Sequence, residues 1–287
     1  MAISGKEIQN IGTIAVKEFR DNLKSKRFII IGVFYFGISL LIALAVILMN
    51  HYSASYGAIK PTLYFDILVT MNVILALLAI LVSADTISLE KKDRTLYQLL
   101  SKPVDRSSVI LGKFLGCMGV VAGLFSASTI IAYLLTIILT GKYPSAGDLV
   151  LVLGAIISMV LVLAAYVALG VLISTITKNP YISMLCSIIV WIGLWFSSVF
   201  GNMLGYNLAT GGALISSKTF NDYPIYTKIM VWIDPLSHDI TTPLLNPSID
   251  QTAAGMPLWA NIVFVLVYAA VLLIIAIMLF EYEDLSA

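Results

Sequence analysis

The sequence predicts an all-α integral membrane protein with six transmembrane helices and both termini in the cytoplasm. Three observations carry that reading. The 287 residues are 60% hydrophobic and 11% charged, with a mean hydropathy of +0.98, whereas soluble domains carry about 25% charged residues. Six apolar stretches reach the roughly 20 residues a helix needs to cross the hydrocarbon core. The basic residues are shared unequally between the two sets of connections. With a net charge of only +1 the chain is no polyelectrolyte, so no nucleic-acid partner is expected.

The apolar stretches are 28–49, 63–84, 114–139, 149–173, 181–201 and 258–280; none contains Lys or Arg, and only the second holds an acid, Asp66 near its start. Backbone groups in lipid must bond to one another, so these runs should be helices. The short alternating segments of a barrel do not occur. The third and fourth helices are expected to extend over 107–139 and 149–176. The first apolar run begins only at Phe28, too late for the core of a signal peptide. Of 17 Lys and Arg, thirteen lie before the first span, between the second and third, and between the fourth and fifth; Lys60, Lys142, Lys218 and Lys228 lie on the other side. The basic side should face the cytoplasm, and an even number of spans returns the C-terminus to it.

Residues 6–27 read as an amphipathic elbow helix in the cytoplasmic interface. Ile8, Ile11, Ala15, Phe19 and Leu23 recur at helical spacing, opposite Lys6, Lys17, Arg20 and Lys24. Residues 85–106 form the sizeable cytoplasmic loop. Within it 88–101 suit a helix with an apolar strip of Leu89, Leu96, Leu99 and Leu100. Pro103 ends that helix, and Asp105 or Ser107 can cap the next. A leucine strip among dense charge, offered to the cytoplasm, suits a protein partner. The third span opens with Gly112 and Gly116, followed by Gly119 and Gly123, spacings that let helices pack closely.

The 56 residues of 202–257 exceed a simple turn and should contain short helices capping the external face. Asp234, His238 and Asp239 stand there among prolines, where turn and capping roles are expected and a metal site is not. Cys117 and Cys186 lie in apolar runs and read as small buried hydrophobes. No span carries a central Asp, Glu, Lys, Arg or His, which counts against ion-coupled transport and against catalysis in the bilayer, so no catalytic residue is nominated. The Gly-Lys pairs at 5–6, 112–113 and 141–142 lack the preceding glycine of a phosphate-binding loop, so ATP, if used, is bound by another chain.

The run Glu90-Lys-Lys-Asp-Arg94-Thr95-Leu96-Tyr-Gln-Leu99-Leu100-Ser-Lys-Pro103-Val104-Asp-Arg106, continuing to Ile110-Leu-Gly112-Lys113-Phe114, resembles the permease subunits of type-2 ABC exporters. Those subunits show a glutamate, Gly-Thr-Leu, Leu-Leu, Pro-Val-x-Arg and a Gly-Lys opening the third span. The elbow helix, six spans and larger segment between spans five and six agree with that layout. Two features depart from it: Arg94 stands where the glycine is usual, and the tail Glu281-Tyr-Glu283-Asp284-Leu285 is acidic where many relatives are basic.

The resemblance implies an ATP-driven exporter working by alternating access in the plasma membrane of a bacterium or archaeon. Two permease subunits, identical or not, would pair in the membrane lipid above two cytoplasmic ATPases that bind ATP and magnesium. A coupling helix at 90–103 would meet the ATPase through Glu90, Arg94, Thr95, Leu96, Leu99, Leu100, Pro103 and Arg106. Spans one, two and five would line the substrate path, with Tyr35, Phe36, Asn72, Trp191, Trp195 and Phe196 as candidates. Uncharged spans suit a lipid-like, peptide or amphipathic cargo. The alternatives are a membrane scaffold or assembly factor that recruits a cytoplasmic partner without transport, and a channel or carrier acting alone.

Overall fold

The computed structural model describes residues 5–52, 62, 65–67, 72–93, 105–212, 219–246 and 252–282. Among them every regular element is helical. In order these are α1 (Gly5–Lys24), α2 (Lys26–Tyr52), α3 (Asn72–Ser83), α4 (Ser88–Lys92), α5 (Arg106–Thr140), α6 (Ala146–Ile176), α7 (Pro180–Thr210), α8 (Ile225–Trp232), α9 (Thr241–Leu245) and α10 (Leu258–Tyr282). Turns of 3-10 helix occupy Phe220–Asp222 and Pro235–His238. Six helices are long and apolar enough to cross a membrane, the second running from Val73 through the turn at 84–87 to Lys92.

Local chemistry sets the helix ends. Ser145 and Asp148 form a capping box that opens α6. Pro180 follows the Asn179 cap of α7. Gly141, in the left-handed region at φ +67°, closes α5. At 35 residues α5 is about 52 Å long, well beyond a hydrocarbon core of about 30 Å. Its first turns are buried, with Val109 and Ile110 packed against Val171 of α6 and Ala276 and Phe280 of α10, and α1 packs on another face of them. α7 runs past the predicted end of its apolar stretch to Thr210, because Asn202 and Asn207 return their amides to the carbonyls of Ser198 and Met203.

α3 and α6 form the interior. Leu75, Ala76, Leu78, Ala79 and Ile80 face Ala165, Tyr166, Val167 and Ala168, all at 0–1% exposure. Gly170 permits the crossing, since a Cβ there would stand 2.1 Å from Ser83 Oγ and 2.6 Å from the Ile80 carbonyl. α2, α7 and α10 present leucine, isoleucine and aromatic side chains outward, the surface expected where lipid replaces water.

The segment after α7 holds the short helices that its length predicts, but they do not simply cap the far end of the bundle. α8 runs antiparallel down α7. Tyr223 packs on Gly205, the Thr227 carbonyl on Gly201, and Ser197 Oγ donates to the Met230 carbonyl at 2.8 Å. Small residues on α7 allow this descent. At its foot Asp234, 2% exposed, accepts a hydrogen bond from Tyr166, two-thirds of the way along α6. His238, 1% exposed, lies against Asn261 and stacks on Phe264 of α10 at 4.0 Å. Ionisable groups thus reach the bundle interior from a connection, which a survey of the spans alone does not reveal. Asp234 and Asp239 also take the expected turn-capping roles, accepting from the amides of Leu236 and Thr241.

Candidate functional site: a buried charge cluster joining three helices

α1 presents three faces. Gln9, Thr13, Lys17, Arg20 and Lys24 form the polar one. Ile8, Val16, Phe19 and Leu23 form an exposed apolar strip. Ile14, Glu18 and Asn22 share the third face, which lies on α5. The contact is tight because α5 carries glycine where α1 crosses it. A Cβ on Gly112 would stand 2.7 Å from Ile14 Cβ, and one on Gly116 would stand 2.6 Å from Glu18 Cβ and 2.8 Å from the Ala15 carbonyl. Ile11 and Ala15, placed by periodicity on the lipid face, therefore turn partly toward α5. Gly119 meets Phe19 at 3.2 Å, while a Cβ on Gly123 would meet nothing within 4 Å.

This close approach brings Glu18 to Lys113. The lysine is 1% exposed, and its Nζ lies 3.1 Å from Glu18 Oε2 and 2.9 Å from Glu90 Oε1 of α4. It also donates to the Thr86 carbonyl at 2.8 Å. Three acceptors match the three N–H groups of an ammonium. Lys17 adds a longer contact to Glu90, at 3.6 Å. Burial pushes the Glu18 carboxyl above its ordinary value, against the opposing pull of Lys113. A buried pair of this kind adds little net stability, but removing one partner strands a charge, at a cost of about 3–5 kcal/mol.

The loop that starts at α4 is pinned to the bundle at further points. Ser174 Oγ of α6 accepts from the amides of Ile87 and Ser88 at 2.9 and 3.1 Å. Ser183 Oγ of α7 donates to the Ala84 carbonyl. Lys91 donates to the Thr175 carbonyl at the end of α6, and Lys92 lies 5.1 Å from the Tyr181 ring centre. Arg106 donates to the carbonyls of Phe280 and Glu281 at 2.9 and 2.7 Å. A guanidinium there completes the end of α10 and complements its dipole.

Of the expected partner-facing residues, Glu90 turns into the cluster and Arg106 onto α10. Arg94, Thr95, Leu96, Leu99, Leu100 and Pro103 lie outside the described residues. Among the substrate-path candidates, Tyr35 is buried in the core; Phe36 and Trp191 are half-buried. Trp195 and Phe196 are exposed on α7, their rings edge to face at 5.2 Å. The Asn72 side chain lies outside the described residues. These side chains therefore split between the interior and the outer face. Sequence reasoning missed Glu18 and Lys113 as partners. The available signal was Lys113 itself, a lone cation between Gly112 and an uncharged span.

The sequence matches the family model described as ABC-2 family transporter protein over residues 12–285. No curated protein matches the chain.

Proposed function

The chain belongs to the ABC-2 family of transporter proteins and has a permease role in an ABC transporter; we propose that it is the membrane subunit of an ATP-driven exporter working by alternating access. Two cytoplasmic ATPases supply ATP and magnesium binding, and a second permease subunit completes the path. The observation that carries this reading is Lys113, which holds α4 and α1 together on α5.

A partner that closes on ATP pushes on the 90–103 segment. Its first turn, α4, is bonded to α5 through Glu90, to α6 through Ser174 and Lys91, and to α7 through Lys92. Displacement of α4 therefore moves three spans rather than deforming a loop. Glu90 serves as an inward anchor in this scheme, and contact with the ATPase falls to Leu89, Arg94, Thr95, Leu96, Leu99, Leu100 and Pro103. The exposed Trp195, Phe196 and Phe200 of α7 suit the seam with the second permease.

Co-purification tests the assignment. The wild-type chain should retain its ATPase partner and support hydrolysis. Leu96→Asp/Leu99→Asp should fold normally and release the partner. If the double variant keeps the partner with undiminished hydrolysis, the 90–103 segment is not the coupling helix. A partner that binds but never hydrolyses ATP would favour a recruiting scaffold.

A further inference from the structure

Asp234 caps the 3-10 turn Pro235–His238, where the connection after α7 enters the bundle. The side chain is buried, and two donors reach its Oδ1: the Tyr166 hydroxyl of α6, itself buried, and the Leu236 amide at 3.3 Å. The amide bond closes the local turn. The tyrosine bond joins the segment to the interior of the bundle, so one carboxyl group holds the foot of the segment on α6.

Among the described residues no cation answers this carboxyl. α3 carries no titratable side chain. α6 and α10 offer the phenols of Tyr166 and Tyr268, which bring no positive charge. Lys228 of α8 donates instead to the Asn221 carbonyl, on the exposed side. His238 belongs to the same turn and is buried, with Nδ1 2.9 Å from Asn261 Oδ1 and Nε2 3.1 Å from the Trp232 carbonyl. Burial holds its imidazole below the ordinary value, against the pull of those two oxygens. An ionised Asp234 would thus exchange its water for two hydrogen bonds and no counter-charge, while the protonated acid gives up less on burial. Burial accordingly raises the carboxyl above its ordinary value, against the opposing pull of Tyr166 and Leu236.

We propose that Asp234 is a proton-binding site, and that the proton it takes up keeps the 225–246 segment seated on α6 and α10. Ionisation favours a carboxylate that has left the bundle for water, so it loosens the seat. The contribution of Asp234 is full below the ordinary carboxyl value of 3.8 and is lost as pH rises through the raised folded value. His238 acts in the opposite sense, because its neutral form suits the seat and acid disfavours it. The site stands whether or not the chain serves as a permease.

The test uses the purified full chain in nanodiscs and compares wild type with Asp234→Asn, which mimics the uncharged acid. The effect of His238 is common to both chains and cancels. Hydrogen-exchange protection factors of 225–246, taken as the ratio of wild type to variant, should fall at least threefold as pH rises from about 4 to 7. Infrared difference spectra should show a protonated-carboxyl band, absent from Asp234→Asn, that persists above the ordinary carboxyl range. Tyr166→Phe removes a donor that favours the carboxylate, so it should carry the band to still higher pH; a purely structural role would lower protection equally at every pH. A level protection ratio across the window, a band lost by the ordinary carboxyl range, or a band that Tyr166→Phe leaves in place or moves to lower pH would each overturn the proposal.

Discussion

Glu18 and Lys113 stand 95 residues apart in sequence and 3.1 Å apart in space, where they tie α1 to the first turns of α5. The lysine is almost wholly buried, and Glu90 completes its neutralisation from α4. Three elements that the chain lays down separately thus share one cation. The consequences can be measured.

Lys113→Met takes the buried cation away from Glu18 and Glu90 in a site with little water. It should cost about 3–5 kcal/mol. Glu18→Gln keeps an acceptor for the lysine and should cost about 1 kcal/mol. The triple variant Glu18→Gln/Glu90→Gln/Lys113→Met leaves no charge behind and should recover most of the loss. Thermal unfolding of the purified variants gives the order directly.

Because Glu18 has its carboxyl raised by burial, the folded chain takes up a proton at a pH where the unfolded chain does not. Its contribution to stability is therefore full below the ordinary carboxyl value of 4.5 and is lost as pH rises through the raised folded value. Wild type should lose stability relative to Glu18→Gln as pH is raised from about 4.5 toward neutrality. Parallel melting curves across that window would count against the burial argument.

Gly116→Ala places a methyl group 2.6 Å from Glu18 Cβ and 2.8 Å from a backbone carbonyl, so α1 must shift. The expected loss is about 1–3 kcal/mol. Gly123→Ala meets no neighbour and should gain roughly 0.5–1 kcal/mol from helix propensity. Opposite signs at two glycines of one helix separate packing from propensity, and thermal melting reads both.

Tyr166→Phe removes the donor to a buried Asp234 and leaves the Leu236 amide as a remaining partner. It should destabilise by about 1–3 kcal/mol. Hydrogen exchange should show the loss concentrated in 225–246, where the segment is seated, with α1 and α5 unaffected.

The spans were legible because length and apolarity alone decide them: α5, α6 and α10 end within a few residues of the apolar runs. A helix ahead of the first span was legible too, but its faces were not. Periodicity put Ile11 and Ala15 with Ile8 and could not show that Gly112 and Gly116 would draw a second face onto α5. α8, with Lys228 among eight residues, is too short to read as a buried helix, and its seat depends on Gly201 and Gly205 of another element. The Glu18–Lys113 pair leaves no local spacing at all. The leucines of 96–100, which carry the partner assignment, lie outside the described residues.

The central claim is that Lys113 transmits motion from the 90–103 segment to the spans. It is tested most directly on a far-end reporter, Asn207→Cys on the exposed surface of α7, in a background free of Cys117 and Cys186. Its labelling by a membrane-impermeant thiol reagent is followed on adding ATP to the assembled complex. The account predicts an ATP-dependent change in labelling rate that falls at least tenfold in the folded, ATPase-bound triple variant Glu18→Gln/Glu90→Gln/Lys113→Met. An undiminished ATP response in that variant would contradict it.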